Sequence, residues 1–188
     1  MAGGSVGGFF FVAILLVLGF FAARKLMVQT AYRAFLAAFR TAKAGDKATP
    51  HILPAKLHKL YVAEEVLGKG TFGCVVRAKT IRGGQPVAVK IIVPEKGAFD
   101  DREMRQLVRE ASVLQLFTAQ KCEYGVQVAG IEAIHIKPEL CWLIMEHLRG
   151  DNMESVIYDA ARGPVGDIEC IRVARNILAA LKVGSKVT

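Results

Sequence analysis

YVAEEVLGKGTFGCVVRAKTIRGGQPVAVK, Tyr61 to Lys90, is the stretch from which the rest of the chain is read. Gly68-Lys69-Gly70-Thr71-Phe72-Gly73 at its centre has a Gly-x-Gly-x-x-Gly spacing, which lets backbone N–H groups approach a phosphate with no Cβ in the way. A dinucleotide-binding fingerprint shares that spacing but leads from a strand into a helix. Here the glycines lead into Cys74-Val75-Val76-Arg77-Ala78-Lys79-Thr80, β-branched and alternating, and a Gly83-Gly84 turn then starts a second strand from Pro86 to Val93. The spacing therefore predicts the tip of a β-hairpin.

A phosphate-covering hairpin needs a cation beneath it. Lys90 closes Val87-Ala88-Val89-Lys90 one strand later, and strand period two places Ala88 and Lys90 on one face. A small residue beside a long cation suits a flat base lying under the strand while the ammonium reaches its phosphates. A lone strand lysine more often snorkels to solvent, and the neighbouring glycines are what favour the first reading. Further on, Asp100 and Glu103 form a capping-box-like pair, and Met104, Leu107, Val108 and Ala111 recur at i, i+3, i+4 and i+7. They predict a helix from about Asp101 to Phe117, with Glu110 at the edge of its apolar stripe. Glu110 can reach inward from there, or pair locally with Arg105 or Arg109 to little effect.

Glycine loop, Val-Ala-Val-Lys strand and helix glutamate, in that order, resemble the protein kinase family of the eukaryotic type, and the ordered set is far more specific than any one part. The resemblance implies that Gly68, Gly70 and Gly73 cover the phosphates of ATP, that Leu67, Val75 and Ala88 enclose the adenine, and that Phe72 caps the loop tip against water. It implies that Lys90 holds the α- and β-phosphates and pairs with Glu110, chosen over Glu103 because Leu114 and Leu116 match the family's helix end. Two further strands are expected, roughly Val128 to Ile136 and Leu140 to Glu146, joined by a turn at Lys137-Pro138-Glu139. Cys141-Trp142-Leu143-Ile144-Met145-Glu146-His147-Leu148 is similar to the family's fifth strand and hinge. Met145 would then back the adenine pocket, with backbone groups of Glu146 and Leu148 bonding the base. Asp151 or Asn152 could meet the ribose, although Asp151 reads better as a cap for a helix from Asn152 to Ala161.

The implied fold is α+β: a five-stranded antiparallel sheet with one packed helix, followed by the first helices of a helical large lobe. A last helix is expected after Gly166, capped by Asp167, with Ile171, Ala174, Leu178 and Leu181 as its stripe and Gly184 as its stop. The resemblance covers about Leu57 to Thr188. No His-Arg-Asp loop and no Asp-Phe-Gly occurs, so the family's catalytic Asp and its metal ligands are missing; Mg²⁺ is expected with the full-length protein only, and no metal ligand is assigned. The expectation is a truncated kinase domain that binds ATP weakly, is inactive as written, and exposes the stripe of its last helix. A full-length form would transfer the γ-phosphoryl group to a protein hydroxyl, taken as Ser/Thr on the frequency of that class alone. A non-catalytic interaction module, or an incomplete version of the gene, is the alternative.

Composition bounds the remainder. At 188 residues and 53% hydrophobic content, the chain can hold one ordinary domain and an anchor. Its net charge of +8 is unevenly spread: residues 1–23 have none, residues 24–60 carry eight basic residues against Asp46 alone, and residues 61–188 carry 17 basic and 16 acidic. MAGGSVGGFFFVAILLVLGFFAA reads as a single transmembrane helix over 1–23, reaching the roughly 20 residues required only with Gly3 to Gly8 included. A cleaved signal peptide is the rival, and the lack of Lys or Arg before Phe9 speaks against it. With Ala2 where N-myristoylation requires glycine, that lipid anchor is not indicated. With all flanking charge after the span, the positive-inside rule puts the kinase-like domain in the cytoplasm. Arg24 to Lys43 reads as a helix, either lying on an anionic membrane surface or continuing the membrane helix with stop-transfer charges. Residues 24–56 are thus a basic juxtamembrane segment, and Ala44 to Lys59, with Gly45, Pro50 and Pro54, reads as a linker with little reason to fold.

With the charge beside the expected membrane span, a nucleic-acid partner loses support and none is expected. Cys74, Cys122, Cys141 and Cys170 have neither Cys-x-x-Cys spacing nor clustered histidines, so they read as free thiols of a reducing cytosol; Cys74 is either accessible beside the loop or an inert strand residue. A Walker A loop would need Lys and Ser/Thr after its last glycine, and Gly73 is followed by Cys74.

Overall fold

A computed structural model describes residues 6–70, 73–150, 153–158 and 165–185; of residues 6–15 the helical backbone alone is described, and of 153–155 likewise. Five strands form one antiparallel sheet: β1 (Tyr61–Gly70), β2 (Gly73–Thr80), β3 (Pro86–Ile92), β4 (Ile134–Lys137) and β5 (Leu140–Glu146), in the order β1-β2-β3-β5-β4. In β2 the strict alternation of Cys74, Val76 and Ala78 with Val75, Arg77 and Lys79 sends the first three to a dry outer face and the others to the inner one. The register extends that division across the sheet. Val66, Val76, Val89 and Ile144 stand side by side and fully buried, while one residue along Gly68, Val75, Lys90, Leu143 and Ile134 form the matching row of the inner face.

The inner face is covered by α2 (Asp101–Ala119). Its start is fixed by a full capping box: Asp100 Oδ1 accepts from the Glu103 N–H, and Glu103 Oε2 accepts from the Asp100 N–H, each at 2.8 Å. The buried stripe is Leu107, Ala111 and Leu114, with Met104 half-buried, against Ile92, Cys141 and Leu143. Val108, expected in the stripe, is exposed, because the helix is rotated to seat Ala111 on the sheet.

The outer face is covered by chain that precedes the sheet. Helix α1 (Val6–Thr41) runs unbroken for 36 residues, about 54 Å at 1.5 Å per residue, and lands Phe35 on the sheet. Residues 45–48 then run along the free edge of β1: Gly45 N–H donates to the Val66 carbonyl, Val66 N–H to that of Asp46, and Ala48 N–H to that of Glu64, at 2.8–2.9 Å. Two 3-10 turns, Pro50–Ile52 and Ala55–Lys59, follow and bury Ile52, Leu53 and Leu57. The stretch read as a linker over 44–59 is therefore packed. Pro50 and Pro54 do not merely break structure; they start the two turns that set these three apolar side chains on the sheet. Edge pairing also solves the exposure of β1's backbone.

Among the described residues, no helix is long and apolar enough to cross a membrane. From Leu16 onward, Arg24, Lys25 and Arg33 interrupt the apolar run, and residues 1–5 of the expected 1–23 span lie outside the described residues. The structure thus gives the transmembrane expectation no support. The second expected helix, from Arg24, is the continuation of α1 itself.

Strand β4 begins at Ile134 rather than near Val128, which makes only an isolated bridge with Met145. The intervening chain swings outward through Gly130 (φ +83°) and Glu132 (φ +56°), and the Tyr61 hydroxyl bonds both the N–H and the carbonyl of Ile131 at 2.7 Å. A side chain at residue 130 would meet that hydroxyl at 2.3 Å. Two helices close the described chain, α3 (Met153–Tyr158) and α4 (Asp167–Gly184). Gly166, not Asp167, is the N-cap of α4; Asp167 sits in the first turn, where its charge still favours the helix dipole. Ile171, Leu178 and Leu181 of the expected stripe are exposed.

Candidate functional site

Lys90 stands mid-strand in β3 with Val75 and Leu143 as its lateral neighbours, and its ammonium donates to Glu110 Oε1 at 2.6 Å. The docking of Leu107, Ala111 and Leu114 aims Glu110 at the sheet, which decides between the inward and the local pairing left open by the sequence. The pair is neither dry nor free: the side chain of Lys90 is 23% exposed and that of Glu110 38%. Its immediate surroundings are apolar. Cys141, buried beside it, has its thiol pushed up to about 12, first by burial and then by the Glu110 charge. Ile92, Phe99, Leu107 and Glu110 line a cleft of about 290 Å³ behind the pair.

The glycine hairpin lies on the same sheet row. Gly68 pairs with Val75, which pairs with Lys90, and Gly70 pairs with Gly73 to close the hairpin; Thr71 and Phe72, at its tip, lie outside the described residues. The three glycines are there for different reasons. Gly73 has φ +132°, and a Cβ there would lie 2.2 Å from the Ile91 carbonyl oxygen, so the fold itself requires glycine. At Gly68 and Gly70 a Cβ would meet nothing within 4 Å. Their lack of side chains leaves an open backbone surface above Lys90, a cradle suited to a polyphosphate.

Ala88, buried, pairs with Met145 across β3 and β5, and Leu67 sits half outside at a register shift between Val66 and Gly68. At the end of β5, Glu146 is locked twice to Gln127: its N–H donates to the Gln127 carbonyl at 3.0 Å and its Oε1 accepts from the Gln127 N–H at 2.9 Å. Leu148 is exposed. Asp151 and Asn152 lie outside the described residues. Among the described residues no group of three or more His, Cys, Asp or Glu could hold a metal ion. Cys74 is fully buried, with its thiol raised by burial, which settles it as a strand residue rather than a reactive one.

Two contacts had no signal in the sequence. One is the Gln127–Glu146 lock. The other is Lys69, between the first two glycines, whose ammonium donates to the carbonyls of Phe39 and Arg40 at the end of α1, both at 2.6 Å. Both join segments far apart in the chain, and the second was hidden by reading 44–59 as a linker.

A twisted five-stranded sheet with a glycine hairpin at one edge, a strand lysine and a carboxylate from the one packed helix defines a kinase-like small lobe. The family description "Protein kinase domain" matches residues 61–183, and the chain belongs to the protein kinase family. Serine/threonine-protein kinase D3 of Mus musculus is 33% identical over 95 residues, covering 50% of this chain and 10% of that protein. Serine/threonine-protein kinase dst1 of Dictyostelium discoideum is 32% identical over 115 residues, covering 60% of this chain and 14% of that protein. The chain thus spans about a tenth of the length of the D3 and D2 kinases it matches. Among solved structures, Rad53 1-466 in complex with AMP-PNP is similar, with a TM-score of 0.50 and 28% identity over 67% of this chain and 30% of that one.

Proposed function

We propose that the protein is a serine/threonine kinase and that residues 61–148 hold its ATP. The observation that carries the reading is the Lys90–Glu110 pair, at 2.6 Å, on the same sheet row as an open glycine hairpin. Lys90 would hold the α- and β-phosphates, and Glu110 would keep its ammonium from wandering. Charge-assisted bonds of this kind hold direction as well as charge. Gly68, Gly70 and Gly73 would cover the phosphates with backbone N–H groups, and Phe72 would close the loop tip. Leu67, Val75 and Ala88 would sandwich the adenine, Met145 would back it, and backbone groups of Glu146 and Leu148 would bond its edge. With the N–H of Glu146 already given to Gln127, that residue's remaining backbone offer is its carbonyl. The relatives' names and the AMP-PNP held by Rad53, an ATP analogue, support the ligand. In a complete kinase domain, MgATP held at this site would supply the transferable γ-phosphoryl group, for a protein serine or threonine hydroxyl.

The same proposal assigns these 188 residues nucleotide binding without transfer, since the sequence has no His-Arg-Asp and no Asp-Phe-Gly. It also assigns the N-terminal helix to a membrane, with the lobe on the cytoplasmic side. The support is in the sequence: an uncharged stretch over 1–23 and the basic residues that follow it.

Equilibrium titration of the full chain with a fluorescent ATP analogue tests the site. Lys90→Met should weaken binding about tenfold or more, the loss of one partly solvated charge-assisted contact, and equal affinity would refute the assignment. Phosphoryl transfer by the chain, abolished in the same variant, would refute the division between binding and transfer.

A further inference from the structure

We infer that Lys69 is a positioning residue that fastens the glycine hairpin to the end of α1, so that this helix sets the pose of the loop over the nucleotide. The inference rests on the nucleotide reading of the site and adds to it an N-terminal control. In a helix the last four carbonyls have no partner inside it. Two of those in α1, Phe39 and Arg40, accept from the single Lys69 ammonium at 2.6 Å each, and the ring of Phe39 lies 5.4 Å below the same charge. The negative end of the helix dipole adds to the attraction. An exposed lysine is usually a free arm; here two carbonyls, a ring and a dipole converge on one.

The clamp has a firm side and a loose side. The firm side is the end of α1, anchored before it by buried Phe35 and after it by the edge pairing of residues 45–48 with β1, with the Lys69 contacts as the tie between these two anchors. The loose side is the Gly68–Gly70 arm. Gly68 and Gly70 flank Lys69 with open space around them, and beyond pairing with β2 this arm has Lys69 as its one described tie to another element, whereas the Gly73 side is seated on Ile91 of β3. Restricting the loop from the firm side lowers the ordering cost when phosphates settle beneath it, and by reciprocity nucleotide should tighten the end of α1.

Amide hydrogen exchange on the full chain, with and without Mg–AMP-PNP, tests the inference. Without nucleotide, Lys69→Met should speed exchange over residues 39–48 and 67–70 by about fivefold or more, and Lys69→Arg should restore it; equal exchange in Lys69→Met and the natural chain would overturn the clamp. With nucleotide, the natural chain should gain protection both in the loop and over 39–48, whereas Lys69→Met should gain it in the loop alone and bind several-fold more weakly at an unchanged melting temperature. Protection of the natural loop without any over 39–48 would overturn the positioning role and leave the nucleotide site standing. No protection anywhere, with clamped exchange otherwise as expected, would sink the nucleotide reading and Lys69's role in positioning with it.

Discussion

On the outer face of the sheet, Val66, Val76, Val89 and Ile144 lie under Phe35, Ile52, Leu53 and Leu57, and no polar or charged residue is buried among them. One residue along the same strands, the inner row of Gly68, Val75, Lys90 and Leu143 carries an ion pair whose side chains stay 23% and 38% exposed. The difference teaches that stability and chemistry are kept on opposite sides of one layer. The outer face can be closed tightly because nothing has to enter there. The inner face keeps its charges within reach of a ligand and so contributes less to holding the lobe together.

The sharpest way to break this contrast is Trp142→Ala. The indole is 1% exposed, stacks on His135 at 3.8 Å and donates to the Glu132 carbonyl at 2.9 Å. Its loss should cost about 3–5 kcal/mol in denaturant unfolding, and a cost below about 1 kcal/mol would mean that the outer face is not where stability resides. On the inner face, Glu110→Gln should cost less than about 1 kcal/mol, since partly solvated pairs contribute little. The same substitution should weaken nucleotide binding, and a stability loss matching that of Trp142→Ala would erase the distinction. The smallest effect belongs to pH. His135 is held below its ordinary 6.5, first by burial and then by Lys56 and Lys137, against weaker opposing pulls from Glu132 and Glu139. A histidine favoured neutral in the fold contributes its full stability above pH 6.5 and loses it as pH falls through the lowered folded value. The melting temperature should therefore decline slightly below that pH, and His135→Phe should flatten the decline; an unaltered slope would remove His135 as its source.

What could be read without coordinates was local or periodic. The hairpin from Tyr61 to Lys90, the capping box at Asp100 and the inward face of α2 are each fixed by residues within a few positions of one another. The pairing of Lys90 with Glu110 was legible because two such local patterns met in a familiar order. What escaped was decided at a distance. Ile52, Leu53 and Leu57 have no period of their own and become core only because α1 and β1 leave room for them. The late start of β4 depends on Tyr61, some 70 residues earlier, bonding Ile131. Val108 looked apolar enough for the α2 stripe, but the close seat of Ala111 turned it to solvent.

Helix α1 has no break between Val6 and Thr41, so its far end acts as a lever on the lobe. One residue added between Arg24 and Phe35 would rotate everything before it by about 100° relative to Phe35, and about seven would nearly cancel the turn. The compass bearing of the nucleotide cleft, seen from whatever grips the first turns, is thus written in the count of residues along a single rod.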